Sequence, residues 1–242
     1  MNEPFIPFEG PEKKLEIILT QPQPGLRFNE NGRWEKVAQA SKAKILSKIS
    51  TDTMDAYLLS ESSLFVWDSW ILMITCGKTT LIDALAEIMT FIDKNNVDYV
   101  FYERKNFMYP LEQPSDFEQD VAVISRFFSG KSYRLGPANE DHLHVFYWSR
   151  PGVIPEEDTT FQILMNDLDP TVTDFFSAKG VKTPREAGKS SGLYSIYKEK
   201  MLTDDYLFLP CGYSLNSIKG NKYYTVHVTP QPNGSYASFD TN

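Results

Sequence analysis

The chain has 242 residues, of which 41% are hydrophobic and 23% charged, and its formal net charge is −8 at pH 7. This length allows a large hydrophobic core, and the acidic balance argues against a protein that binds nucleic acid or an anionic membrane. No apolar run approaches the roughly 20 residues of a membrane span, and two cysteines make no disulfide framework, so we expect a cytoplasmic protein.

Helices and strands are both predicted in the first half of the chain. Short apolar or alternating runs predict strands over 14–20, 55–60, 63–67, 70–76 and 97–103. Apolar residues at helical spacing predict helices over 34–50, 79–94 and 115–128. A hydroxyl of Thr79 or Thr80 can cap the second helix, and Ser115 can cap the third, because such side chains accept hydrogen bonds from free N–H groups.

The second half of the chain is richer in predicted strands. A short helix is predicted over 169–178, and the polar stretch 179–204 predicts a loop or a weakly ordered helix. Residues after Thr229 predict a turn and the start of another strand. The predicted strands are 132–135, 142–148, 160–165, 205–209, 213–218 and 222–229. This order of elements indicates an α+β protein with helices on the outer faces of its sheets.

A polar tetrapeptide, Ser60-Glu61-Ser62-Ser63, separates two predicted strands without any Gly or Pro. A polar interruption of this kind is most often a solvated loop. A serine in a strained and dry position can instead attack the preceding carbonyl and convert the amide into an ester. The tetrapeptide alone leaves both interpretations open.

Cys76 and His227 are the other candidates for chemistry. Cys76 precedes a predicted helix, where a thiol has a lowered pKa and can act as proton donor or nucleophile, although a free cysteine is as often a small buried residue. His227 shares a strand face with Tyr223, Thr225 and Thr229, although a lone histidine there is more often a core residue. The histidines and cysteines lack metal-binding spacing, so we expect no metal site.

Several segments together resemble one family, the eukaryotic S-adenosylmethionine decarboxylase proenzymes. They are FEGPEKKLEI (8–17), YLLSESSLFV (57–66), ILMITCGKTTL (71–81), YERKNFMYP (102–110), ILMNDLDP (163–170), PCGYSLNSIK (210–219), YYTVHVTP (223–230) and SYASFDTN (235–242). The resemblance implies a single domain over 1–242 with a four-layer αββα sandwich of antiparallel sheets. Family chains usually continue past the position of Asn242, so the resemblance also implies an incomplete second half.

The resemblance implies that the chain cuts itself between Glu61 and Ser62, into a β chain of residues 1–61 and an α chain of residues 62–242. The Ser62 hydroxyl would attack the Glu61 carbonyl. Elimination would then leave a pyruvoyl group, the covalent cofactor, in place of Ser62. The residues that match those assisting this processing are Glu12, Ser214 and His227, with His227 as the base of the elimination.

The mature enzyme would decarboxylate S-adenosylmethionine for spermidine and spermine synthesis, through a Schiff base with the pyruvoyl carbonyl. Cys76 matches the residue that reprotonates the α-carbon. Phe8 and Phe208 match the aromatic residues on either side of the adenine, and Glu9 matches an acid of the substrate site. Gln231 replaces a Glu that usually holds the ribose, so we expect weaker substrate binding.

Putrescine activates some family members by binding an acidic pocket, which is altered in this sequence. Asp158 matches one acid of that pocket, and Asp240 is a shortened Glu. Gln162 and Ile74 stand where a Glu and, in mammalian members, a Lys are expected. We therefore expect no activation by putrescine.

Two alternatives to an active decarboxylase stay open. Gln231 and the shorter chain also fit a weakly active or inactive paralogue that regulates an active partner subunit, and a dimer with itself or with a paralogue would serve that role. The intact residues for cleavage and proton transfer argue against this alternative. A hydrolase outside the family, built on Cys76 and His227, is the weaker alternative.

Overall fold

The computed structural model describes residues 9–10, 12–153, 159–177, 180, 183–231 and 234–242. The chain divides into two compact units. The first unit is Pro11–Asp158, and the second unit combines Met1–Gly10 with Thr159–Asn242. Each unit contains one antiparallel sheet and short helices, which confirms the predicted α+β class with antiparallel sheets.

The first unit is built on an eight-stranded antiparallel sheet. In chain order its main elements are β1 (Lys13–Leu19), α1 (Arg33–Ala40), β2 (Ile45–Ser50), β3 (Met54–Leu59), β4 (Ser62–Trp67), β5 (Trp70–Thr75), α2 (Leu81–Ile88), β6 (Val97–Lys105), α3 (Phe117–Ile124), β7 (Lys131–Leu135) and β8 (Leu143–Ser149). The strands lie in the sheet in the order β2-β3-β4-β5-β1-β6-β8-β7.

The core of the first unit joins the helices to one face of this sheet. The apolar stripe of α2, which includes Leu81, Leu85 and Ile88, lies in the same buried cluster as Leu15 and Ile17 of β1. Burying each such side chain contributes about 1.5–3 kcal/mol relative to leaving it in water. The sheet is therefore fixed from one side by helices, and its central strands β4, β5 and β1 carry the residues described below.

The predicted helix over 34–50 is wrong in its second half. Helix α1 ends at Ala40, Lys42 adopts a left-handed φ of 63°, and β2 follows. Ile45 and Ile49 are four residues apart, a spacing that fits one face of a helix and equally one face of a strand. Pairing with β3 decides between the two, and exposure along β2 then alternates residue by residue.

Helix α3 begins one residue later than the predicted cap. Asp116, not Ser115, is the N-cap: its carboxylate accepts from the Gln119 backbone N–H at 2.8 Å, and the Gln119 side chain accepts from the Asp116 N–H at 3.0 Å. The Ser115 hydroxyl instead donates to Asp120 at 2.6 Å. In α2, Thr80 takes the predicted N-cap position without a capping bond from its side chain.

The second unit is built on a five-stranded antiparallel sheet. In chain order its main elements are β9 (Phe161–Asn166), α4 (Pro170–Thr173), α5 (Pro184–Ser190), β10 (Leu202–Leu207), β11 (Tyr213–Lys219), β12 (Lys222–Thr229) and β13 (Tyr236–Thr241). The strands lie in the sheet in the order β10-β11-β12-β13-β9, and β13 confirms the predicted final strand.

The stretch 179–204, predicted as loop or weakly ordered helix, contains the ordered helix α5 and the first residues of β10. The start of α5 is encoded locally, because the Thr183 hydroxyl accepts from the Glu186 N–H at 3.2 Å and Pro184 occupies the first turn. The polar composition of the stretch masks this local signal. In the described part of the chain, no helix has the length and apolar character needed to cross a membrane.

Candidate active site

The polar tetrapeptide contains the tight turn of a β-hairpin. Ser60 and Glu61 connect β3 to β4, and Leu59 pairs with Ser62 across the turn. The Ser60 N–H donates to the Lys44 carbonyl at 2.8 Å, and the Ser60 hydroxyl accepts from the Lys44 N–H at 3.0 Å. Two-residue turns often contain Gly or Asn at positive φ angles, and this turn has neither residue. Neither Ser60 nor Glu61 has a positive φ, and the unusual backbone angle falls on the next residue, Ser62.

Ser62 carries a strained backbone conformation directly after this turn. Its φ of 119° lies in a region that L side chains rarely adopt, at a cost of about 1–3 kcal/mol. The residue is 1% exposed, so a solvated loop is the wrong interpretation at this position. Within the described residues, its buried Oγ has no hydrogen-bond partner of normal geometry. The hydroxyl is thus held out of water, and within the described residues its polar contact is with the Cys76 side chain.

The Glu61 carbonyl, which precedes Ser62, accepts the backbone N–H of Cys76 at 3.1 Å. A fixed N–H at this distance polarises the carbonyl and can stabilise negative charge on its oxygen. The Glu61 side chain is half-buried, and burial raises its pKa to about 7, while the positive charge of Lys13 lowers it in part. The peptide between Glu61 and Ser62 therefore combines a polarised carbonyl with a buried hydroxyl on the next residue.

Cys76 follows β5 directly and is not at a helix N-terminus, because α2 begins only at Leu81. Burial raises the pKa of its thiol, the negative charges of Glu61 and Glu12 raise it further, and a polar contact from the Ser62 side chain lowers it in part. The predicted lowering of this pKa is wrong, since the helix dipole acts only within the first turn. A thiol that stays protonated suits a proton donor better than a nucleophile.

Lys13 is a buried cation near this site that the sequence motifs do not single out. Its ammonium donates to the carbonyls of Gly77 at 3.0 Å and Thr79 at 2.9 Å and to the Gln113 side chain at 3.0 Å. These bonds fix the loop that immediately follows Cys76. Lys13 lies one residue before the predicted strand 14–20 and continues the face of Leu15 and Ile17, which is the signal that could have found it.

Ser214 and His227 form the second cluster, in the second unit. They lie directly opposite each other on β11 and β12, and His227 Nδ1 is 3.0 Å from the Ser214 Oγ. As predicted, His227 shares its strand face with Thr225, because the intervening Val226 packs into the apolar core on the other face. Register between two strands thus brings together residues that are 13 positions apart.

His227 is also in contact with Thr225, whose hydroxyl lies 2.9 Å from its Nε2. Burial lowers the pKa of His227 from 6.5 to about 3. The imidazole is therefore neutral at physiological pH and is able to accept a proton, as a general base must.

Asp240, predicted for a diamine pocket, lies on β13 and is buried. Its carboxylate accepts from the Tyr223 hydroxyl, and in register it faces Gln162 of β9. Ile74, at the position where mammalian members have Lys, is buried on β5. Asp158, the other predicted acid of this pocket, lies outside the described residues.

The residues predicted to bind substrate lie at several places in the chain. Phe208 follows β10, is half-buried, and packs against the Tyr206 ring in a tilted arrangement with 4.8 Å between the ring centroids. Phe8 lies outside the described residues. Glu9 is buried and Gln231 is half-buried. Glu12, which is predicted to assist processing, is also buried.

A family model for adenosylmethionine decarboxylase matches residues 6–242. The chain belongs to this family. It is 36% identical over 257 residues to the S-adenosylmethionine decarboxylase proenzyme of Dictyostelium discoideum, 37% over 249 residues to that of Onchocerca volvulus, and 35% over 251 residues to that of Xenopus laevis. These alignments cover 97% of the chain and 67%, 68% and 75% of the three relatives. The resemblance inferred from the motifs is confirmed.

The fold is also similar to that of a solved relative. A crystal structure of the Trypanosoma brucei AdoMetDC-delta26 monomer matches with a TM-score of 0.57 and 26% sequence identity. The match covers 74% of this chain and 68% of that chain. Sequence and fold comparisons therefore agree on the family.

Proposed function

We propose that this chain is a proenzyme that cuts itself between Glu61 and Ser62 and then decarboxylates S-adenosylmethionine for spermidine and spermine synthesis. Family membership supports the reaction class. The observation that carries the proposal is the Glu61–Ser62 peptide, which combines a strained φ, a buried hydroxyl and a carbonyl already bonded to the Cys76 N–H.

Cleavage begins, in this proposal, when the Ser62 Oγ attacks the carbonyl carbon of Glu61. The Cys76 N–H donates to the oxygen that gains negative charge. The bond from that carbon to the Ser62 nitrogen breaks, and the nitrogen takes up the hydroxyl proton. The product is an ester between Glu61 and the Ser62 side chain, and formation of this ester releases backbone strain at Ser62.

Elimination then requires a base that is neutral before it acts. We assign this role to His227, whose burial keeps it uncharged, with Ser214 as its hydrogen-bonding partner and Glu12 as an assisting acid. The base removes the α-proton of Ser62, the Cβ–Oγ bond breaks, and residues 1–61 leave with a free carboxylate. Water then displaces the nitrogen as ammonia and leaves a pyruvoyl group.

The mature site would bind substrate through Phe8, Glu9, Phe208 and Gln231. The pyruvoyl group supplies an electron sink for the loss of carbon dioxide. Cys76 is the proposed proton donor to the product carbon, which agrees with a thiol whose pKa is raised by burial. The neutral amide of Gln231 forms weaker hydrogen bonds than a carboxylate, so we propose weaker ribose binding than a Glu would provide.

The predicted diamine pocket of this chain lacks charges that a diamine would need. Ile74 and Gln162 place no charge where a diamine pocket needs one, so we propose an enzyme that putrescine does not activate. Release of labelled carbon dioxide from carboxyl-labelled S-adenosylmethionine, with and without putrescine, tests both activity and activation. A several-fold increase in carbon dioxide release with putrescine would contradict the proposed lack of activation.

We further propose that the chain forms a dimer with itself or with a paralogue, and that it works in the cytoplasm.

A denaturing gel of the purified chain tests self-cleavage. We expect two bands, for residues 1–61 and 62–242, with a blocked N-terminus on the larger. Ser62→Ala should stay full-length, whereas Ser63→Ala, which alters the neighbouring buried serine, should still be cut. A single full-length band of the original chain that persists for days would overturn the proposal.

A further inference from the structure

The Thr225 hydroxyl lies beside the His227 ring, 2.9 Å from its Nε2. We infer that Thr225 is a positioning residue that holds His227 in the tautomer with hydrogen on Nε2 and the basic lone pair on Nδ1. The inference rests on the proposed role of His227 as the base in self-cleavage. It concerns which of its two nitrogens can act.

Among the described residues, three polar atoms lie within hydrogen-bond distance of the Thr225 Oγ1. They are the Leu215 carbonyl oxygen at 3.0 Å, the Asn216 Oδ1 at 2.9 Å and the His227 Nε2 at 2.9 Å. Thr225 is 1% exposed and Asn216 is 0% exposed. These contacts follow from the strand register, which places Asn216 directly opposite Thr225 and His227 two residues along the same strand face.

The number of protons available on Thr225 decides which atom donates in each of these three hydrogen bonds. A hydroxyl has a single proton to donate, and a backbone carbonyl oxygen such as that of Leu215 can only accept. If Thr225 donated to His227, its lone pairs would face the Leu215 oxygen across 3.0 Å, an unfavourable contact that water cannot screen. The Thr225 hydroxyl therefore shares its one proton between the Leu215 carbonyl and the Asn216 Oδ1 as a bifurcated donor, and His227 Nε2 supplies the proton of the remaining bond.

This assignment leaves Nδ1 of His227 without hydrogen. Nδ1 faces the Ser214 hydroxyl at 3.0 Å, so that hydroxyl donates to it. A neutral imidazole has one basic nitrogen, and the bond made by the other nitrogen decides which one it is. Thr225 thus directs the basic nitrogen of His227 towards Ser214, although Thr225 itself need not touch a reacting atom.

Rates of self-cleavage provide the first test. Thr225→Val keeps the shape but removes the acceptor, and we expect cleavage to slow by about five- to tenfold, the factor that one hydrogen bond of ordinary net strength supplies. Thr225→Ser restores the hydroxyl and should recover most of the rate. Asn216→Ala leaves the Leu215 carbonyl in place and should slow cleavage less than Thr225→Val does. Thr203→Val is the matched control, because its hydroxyl bonds Ser217 away from His227.

The tautomer itself provides the second test, which needs no cleavage. Long-range proton–nitrogen correlation spectra of histidine-labelled Ser62→Ala precursor distinguish the two nitrogens, and His227→Gln assigns the signal. We expect hydrogen on Nε2 in the precursor, loss of that preference in Thr225→Val, and its return in Thr225→Ser.

The two tests separate the inference from the proposed function. A Thr225→Val precursor whose His227 keeps hydrogen on Nε2 would overturn the inference, as would a Thr225→Val chain that is cut at the original rate. An original chain that never cuts itself contradicts the proposed function alone, because the spectra of the uncut precursor still decide the tautomer. A Thr225→Ser precursor that does not regain hydrogen on Nε2 would mean that the hydroxyl does not set the tautomer, and that result also counts against the inference.

Discussion

His227 should make the stability of the folded precursor depend on pH. Burial lowers its pKa from 6.5 to about 3. Between these two values the unfolded chain binds a proton that the folded chain does not, so the free energy of unfolding falls as the pH falls through this window. The slope is about 1.4 kcal/mol per pH unit. Acidification from the upper limit of the window to pH 5 should therefore cost about 2 kcal/mol from this residue alone.

Glu61 opposes this effect and must be separated from it. Burial raises its pKa from 4.5 to about 7, so the folded chain binds the extra proton there, and this contribution to stability is lost as the pH rises through about 7. A comparison of the Ser62→Ala precursor with the Ser62→Ala/His227→Gln double variant removes the Glu61 contribution, because both chains contain it. Gln keeps hydrogen-bonding capacity at position 227 but cannot be protonated in this range.

Urea unfolding at pH 7 and pH 5, followed by circular dichroism, measures the difference. Between these pH values the precursor should lose about 2 kcal/mol more than the double variant, because only the precursor contains His227. Equal losses in the two chains would refute the reasoning, since they would mean that His227 titrates alike in the folded and unfolded chains. A larger loss in the double variant would refute the sign of the effect.

Three further predictions concern residues away from His227. In the uncut precursor at pH 8, iodoacetamide should label half-exposed Cys211 before Cys76, because burial raises the pKa of the Cys76 thiol and shields it. Asp120→Ala should lower the free energy of unfolding by about 3–5 kcal/mol, because it leaves the buried guanidinium of Arg104, 2.6 Å away, without its carboxylate. Glu112→Ala, which removes the partner of Lys78 in an exposed ion pair, should lower it by less than about 1 kcal/mol. Asp116→Ala should cost about 1 kcal/mol through loss of the helix cap.

Mass spectrometry and urea unfolding check these outcomes. Prompt labelling of Cys76 in the folded precursor would show that its thiol is accessible and ionised. Equal destabilisation by Asp120→Ala and Glu112→Ala would show that burial does not set the strength of the two ion pairs. An Asp116→Ala chain as stable as the original would show that the capping box contributes nothing.

Local sequence pattern determined much of this protein by itself. Short apolar or alternating runs predicted most strands, including the one that precedes Cys76 and the one that carries His227, and alternation placed Thr225 and His227 on one face. The motifs around Ser62 identified the family, which the comparisons confirm. These features depend on residues that are close together in sequence, so they can be read without knowledge of the fold.

Tertiary structure decided what those residues can do. Pairing with β3 made β2 a strand, although the spacing of Ile45 and Ile49 also fits a helix. Burial raised the pKa of Cys76, although its position before a helix predicts a lower value. Register between β11 and β12 joined Ser214 to His227 and placed Asn216 beside Thr225. Burial and register both depend on strands that are distant in sequence. The ionisation of Cys76 and the tautomer of His227 are therefore decided by the assembled sheets and cannot be inferred from local sequence.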